Sequence, residues 1–132
     1  MDVPKNFLYT RDHIWIKPEG NRSRIGVTDY SQEELGEVVF VDLPDPDTEV
    51  QMAAPFGIIE SDTAVSDLTA PVSGEVAEVN SDLADSPELV NEDPYGEGWL
   101  LTILMSDPDQ IDTLMASEEY EDYISGLGDD KE

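Results

Sequence analysis

The sequence predicts a mainly β fold, with short antiparallel strands arranged as a sandwich or barrel. Short β-branched and aromatic runs recur as far as Leu104, each closed by Gly, Pro, Asn or Asp. Helical signals are confined to one short stretch after Thr28 and to the C-terminal end.

Taken in order, Ile14-Trp15-Ile16 and Ile25-Gly26-Val27 flank Glu19-Gly20-Asn21 and read as a hairpin. Thr28 can cap a short helix over Asp29–Leu35, which Gly36 stops. Val38-Val39-Phe40-Val41 is a strand closed by Pro44-Asp45-Pro46-Asp47. Phe56–Ile59, Gly74–Val79 and Trp99–Leu104 follow as strands. Asp107-Pro108 is a cap and first-turn proline that open a helix over Asp109–Ala116. Ser117 can cap another, in which Tyr120, Tyr123, Ile124 and Leu127 form a stripe that reads as core packing. Val27, Val39, Val41, Ile58, Val76, Val79, Leu101 and Ile103 are the expected core. Gly36-Glu37-Val38-Val39-Phe40-Val41 is echoed by Gly74-Glu75-Val76-Ala77-Glu78-Val79. The copies lead to Glu49-Val50 and to Glu88-Leu89-Val90, as two similar β units about a pseudo-twofold axis would.

Composition narrows function. The 132 residues carry 32 Asp or Glu against 6 Lys or Arg, a formal net charge of −26. So few cations cannot track a phosphate backbone, which excludes nucleic acid, and an anionic membrane surface would repel the chain. No run approaches the ~18 apolar residues of a membrane helix, and the N-terminal residues lack a signal peptide's apolar core. A cytoplasmic protein is expected, built as one domain over 1–132 with a mobile acidic tail over 126–132. Acids are spread along the chain, as on a heavily solvated or salt-adapted surface. With no cysteine, disulfides, thiolate zinc sites and cysteine nucleophiles are excluded.

No self-contained active site is legible. His13 is the only histidine, beside Trp15 in an apolar strand, and reads as structural. A small hydrolase built on it lacks any nucleophile–base pairing. Asp45, Asp47 and Glu49 alternate as in a calcium loop but lack the glycine such a loop needs at its sixth position. Gly96-Glu97-Gly98-Trp99 is too short for a phosphate loop and has no lysine after it. No metal site is expected.

From Phe56 to Val79 the chain reads as a strand, an exposed polar tip at Asp62-Thr63-Ala64, and a return strand through Val65-Ser66-Asp67-Leu68-Thr69. Here the sequence resembles the glycine cleavage system H-protein family, a relative of biotinyl and lipoyl carrier domains. The resemblance takes in Asp12-His13 with Trp15, Ile25-Gly26-Val27-Thr28-Asp29, and Leu35 through Pro44. It continues through Glu60-Ser61, Ala64, Ser66-Asp67-Leu68 and Pro71-Val72-Ser73-Gly74-Glu75. It closes with Ser86-Pro87-Glu88-Leu89-Val90-Asn91 and Asp93-Pro94-Tyr95-Gly96-Glu97-Gly98-Trp99.

The resemblance implies a lipoyl-type flattened β-barrel, or barrel-sandwich hybrid, with short helices, two of them C-terminal. It also implies a shuttle rather than an enzyme. In the family, lipoate on a tip lysine carries an aminomethyl group between glycine decarboxylase, aminomethyltransferase and dihydrolipoyl dehydrogenase. The tip here reads Glu60-Ser61-Asp62-Thr63-Ala64, so the resemblance puts Thr63 at the attachment position, and the lysines are Lys5, Lys17 and Lys131. The family's His-Glu-Trp is His13-Ile14-Trp15, which removes a carboxylate from the cleft that receives the arm. Asp62 adds a charge where the family carries a small apolar residue. The expectation is an H-protein homologue without lipoate that docks with one of these partners or a related protein. The alternative is a genuine aminomethyl carrier whose tip lysine has been altered.

Overall fold

Strand pairing divides the molecule into two sheets. The computed structural model describes residues 3–130, without the side chains of 127–130. The strands are β1 (Leu8–Tyr9), β2 (Ile14–Glu19), β3 (Arg22–Val27), β4 (Val38–Asp42), β5 (Glu49–Val50), β6 (Pro55–Ser61), β7 (Val65–Thr69), β8 (Gly74–Val79) and β9 (Leu101–Met105). The α-helices are α1 (Asp29–Leu35), α2 (Asp82–Asp85), α3 (Leu89–Glu92) and α4 (Ser117–Asp130). One sheet has six strands in the order β1-β2-β3-β9-β8-β5, the other three in the order β4-β6-β7, and all pairs are antiparallel.

The main core lies between the sheets. Ile14, Ile16, Ile25, Val27, Val76, Leu101 and Ile103 from the large sheet meet Val38, Ile59 and Leu68 from the small one. Each such side chain, removed fully from water, contributes about 1.5–3 kcal/mol. A second cluster on the opposite face of the large sheet packs Tyr9, Trp15 and Tyr120. Consecutive residues of β2 therefore all find apolar surroundings, which is why Ile14-Trp15-Ile16 does not alternate. Gly26 pairs with Trp15, and a Cβ on it would lie 2.6 Å from the indole, so the ring occupies the space a side chain would need.

Several elements follow the local signals. The Thr28 side chain accepts from the Ser31 N–H to cap α1, and Gly36, at φ 92°, ends it. The expected hairpin is β2–β3, with Glu19 opposite Arg22. The echoed segments are β4 and β8, and each is closed by the stretch that follows the other copy. The Val38 N–H donates to the Asn91 side chain at 2.8 Å, and the Val76 N–H to the Thr48 carbonyl at 2.9 Å.

Other expectations need correction. Residues 108–113 form a 3-10 helix, Pro108–Thr113, instead of an α-helix reaching Ala116, and Asp107 makes no side-chain cap. Met115 pairs with Tyr9 through reciprocal backbone hydrogen bonds of 2.9 Å, which pulls the chain out of helical geometry. Ser117 is the first residue of α4 rather than its cap, and the Glu119 carboxylate accepts from the Ala116 N–H at 3.3 Å. Tyr120 is buried and Tyr123 and Ile124 pack against its cluster, while the Leu127 side chain lies outside the described residues. Of the tail expected to be mobile, residues 126–130 continue α4, and 131–132 lie outside the described residues. Val39 is 51% exposed because a bulge between Val38 and Phe40 turns it outward. Val41 and Val79 are half-buried at the edge of the core, while Ile58, also half-buried, lies on the outer face of β6. The helical turns α2 and α3 carry no periodic signal, being four residues each.

Candidate functional site

The hairpin of β6 and β7 ends in a turn built around one hydroxyl. Ser61 Oγ accepts from the backbone N–H of Thr63 at 3.2 Å and of Ala64 at 3.0 Å, and the Ser61 N–H donates to the Ala64 carbonyl at 2.8 Å. The tip is also tied to the end of α1. The Asp62 N–H donates to the Glu37 carbonyl at 3.0 Å, and the Thr63 hydroxyl donates to the Leu35 carbonyl at 3.3 Å. Gly36 lies under this contact, where a Cβ would stand 3.1 Å from the Asp62 carboxylate. Asp62, Thr63, Ala64, Val65, Ser66 and Asp67 are exposed.

Beside the tip, a cleft of about 310 Å³ is lined by Asp12, His13, Tyr30, Ser31, Glu34, Leu35 and Ser66. A tight turn positions its histidine. Thr10 Oγ1 accepts from the Asp12 and Ile14 N–H groups, each at 3.2 Å, and His13 takes φ 66°, uncommon for a residue with a Cβ. The ring is 4.6 Å from that of Tyr30, and Nδ1 lies 2.8 Å from the Tyr120 hydroxyl, itself 2.7 Å from Thr28 Oγ1. Burial holds the His13 pKa below its ordinary value, against the smaller opposing pull of Asp12 and Glu34. Burial likewise raises the Tyr120 phenol, so it stays a neutral link between His13 and Thr28.

The family model for the glycine cleavage H-protein matches residues 7–126. The chain belongs to the glycine cleavage H-protein family. It is 56% identical over 120 residues to the glycine cleavage system H protein of Rubrobacter xylanophilus, covering 90% of this chain and 92% of that one. Against the H protein of Halothermothrix orenii the identity is 48% over 124 residues, covering 94% and 97%. The crystal structure of a glycine cleavage system H protein from Mycobacterium marinum superimposes with a TM-score of 0.83 at 35% identity, covering 96% and 99%. The two sheets thus form the lipoyl-type flattened barrel that the sequence resemblance implies. H proteins are carriers within a multienzyme system and not catalysts in their own right.

Within the H-protein frame, the residues singled out from sequence fall into separate places. Thr63 with Ser61, Asp62 and Ala64 makes the tip, and Ser66 and His13 face one cleft. Glu60 and Asp67 lie on the outer side of the small sheet, away from that cleft. Ile14 is 2% exposed and packs in the main core, and the cleft's carboxylates come from Asp12 and Glu34. Tyr30 and Glu34 belong to no motif in the sequence, although they stand one turn apart on α1, a spacing that shares a helix face. The Asp93–Trp99 block proves structural. Trp15 Nε1 donates to the Pro94 carbonyl at 2.9 Å, and the Asp93 carboxylate accepts from the Glu97 N–H at 2.9 Å. Among the described residues, no group of three or more acidic or histidine side chains could hold a metal ion, and no helix is long and apolar enough to cross a membrane.

Proposed function

We propose that this chain is a glycine cleavage H-protein homologue that carries no lipoate and acts by docking with a partner. One observation carries the proposal: the tip position taken as the lipoyl site holds Thr63, whose hydroxyl is engaged with the Leu35 carbonyl. A lipoyl arm is held through an amide and needs a primary amine. The tip has none, because Lys5 and Lys17 precede β3 and Lys131 follows α4. The residues present therefore do not fit that group. Ile14, buried where the family pattern has a carboxylate, supports the same conclusion. Glycine decarboxylase, aminomethyltransferase and dihydrolipoyl dehydrogenase are the partners the family relationship implies. A cytoplasmic location is in keeping with a cysteine-free, highly charged chain.

Intact mass after co-expression with a lipoate ligase tests this directly. The chain is expected to keep its unmodified mass, and a lipoyl increment would overturn the proposal. A second reading, a true aminomethyl carrier with an altered tip, is favoured by the turn at Ser61, which is formed without the lysine. A lysine-bearing tip in the natural gene would establish it.

A further inference from the structure

The solvent side of the three-stranded sheet carries an alternating pattern. Register places Phe40, Glu60 and Val65 in one cross-strand row, and Asp42, Ile58 and Asp67 in the next. Ile59 and Ser61 are buried, so Ile58 and Glu60 point outward with their row neighbours. Apolar and acidic side chains thus alternate along each row and from row to row. Phe40 is 49% exposed and Val65 66%, and Val39 joins them through the bulge. These are three of the four exposed large apolar side chains among the described residues; the fourth, Leu104, lies on the other sheet. Single exposed apolar residues are ordinary, but three gathered on one small sheet mark a surface built to be covered. Asp42, Glu60 and Asp67 take part in no ion pair among the described residues.

We infer that this face docks a protein partner that presents lysine or arginine side chains. Such side chains join an aliphatic stem to a cationic head, and the alternation suits both parts. The stems lie over Phe40, Ile58 and Val65 while the heads reach Glu60, Asp42 and Asp67. A second copy of this chain is a poor occupant, since each copy carries −26. A wholly apolar partner would bury the carboxylates without counter-charges. Because β6 and β7 run straight into the Ser61–Ala64 turn, a partner seated here also reaches the hairpin tip. The inference rests on the docking role proposed above and names the surface and the partner chemistry for it.

The full chain is titrated calorimetrically against purified glycine decarboxylase, aminomethyltransferase and dihydrolipoyl dehydrogenase, at low and high sodium chloride. The unmodified chain is expected to bind at least one of them, less tightly at high salt. Phe40→Ser with Val65→Ser should weaken that binding by at least about tenfold, as loss of central apolar anchors does. Asp42→Asn, Glu60→Gln and Asp67→Asn together should flatten the salt dependence. Leu104→Ser, on the other sheet, should change neither. Thermal midpoints verify folding, and Val65→Ser alone serves if the Phe40 variant melts early. Binding that survives both sets of substitutions, or falls equally with Leu104→Ser, overturns the docking face while leaving the proposed function intact. Binding to none of the three proteins overturns the docking role itself and this inference with it.

Discussion

The Thr63 hydroxyl donates to the Leu35 carbonyl at 3.3 Å, so the tip of the β6–β7 hairpin closes the last turn of α1. Carbonyls at a helix end lack intrahelical donors, and this contact satisfies one of them. The same contact turns the side chain at the tip back toward the body of the protein.

Replacing Thr63 by lysine frees that contact and offers an amine on a turn that Ser61 already holds. Thr63→Lys with Asp62→Val is expected to become a lipoate-ligase substrate, and Thr63→Lys alone to be modified more slowly. Asp62 beside the amine would raise its pKa and reduce the neutral, nucleophilic fraction. Time courses of intact mass separate the two variants. Equal rates would remove Asp62 from the explanation.

Ile14 is a core residue paired with Val27, and its substitutions should behave accordingly. Ile14→Val should cost about 0.5–1.5 kcal/mol. Ile14→Glu should cost more than about 2 kcal/mol at neutral pH, because a carboxylate would be buried without a partner. Its folded-state pKa would be raised, so the deficit should shrink as pH falls and the carboxyl becomes neutral. Urea midpoints at two pH values measure this. A glutamate variant as stable as wild type would mean that its side chain turns into the cleft beside Asp12 and Glu34.

His13 should make stability pH-dependent. Burial holds its folded-state pKa below the ordinary 6.5, so on acidification the unfolded chain takes up the proton first. Its contribution is therefore complete above the unfolded value and is lost as pH falls through the lower folded value. The difference in thermal midpoint between wild type and His13→Gln should narrow from about pH 7.5 to about pH 5.5. A constant difference would contradict the assigned direction. Comparison with the variant cancels the carboxylates, which titrate in both proteins.

Salt should stabilise the fold. With 32 acids against 6 bases, self-repulsion acts in the compact state and weakens on screening, which is strong by ~1 M. Thermal midpoints across a sodium chloride series should rise. A flat or falling trend would identify the acidic excess as ordinary surface solvation.

Elements governed by near neighbours could be read from the sequence. Thr28 and Gly36 bound α1 because a cap hydroxyl and a left-handed stop act within one helical turn. The β2–β3 hairpin follows from two short apolar runs flanking a glycine turn, and the strand at Gly74–Val79 from alternation. The absence of a lysine at the tip is likewise a plain property of the chain. Contacts between distant segments decided the rest. The Tyr9–Met115 pairing shortens the helix after Asp107, and the bulge in β4 determines that Val38 and not Val39 enters the core. Asp12, Glu34 and Ser66 become one cleft, and Thr63 finds Leu35, only once α1 and the hairpin are packed together. Local propensity depends on a few adjacent dihedrals, whereas these outcomes depend on which buried polar groups and apolar surfaces the whole fold must satisfy.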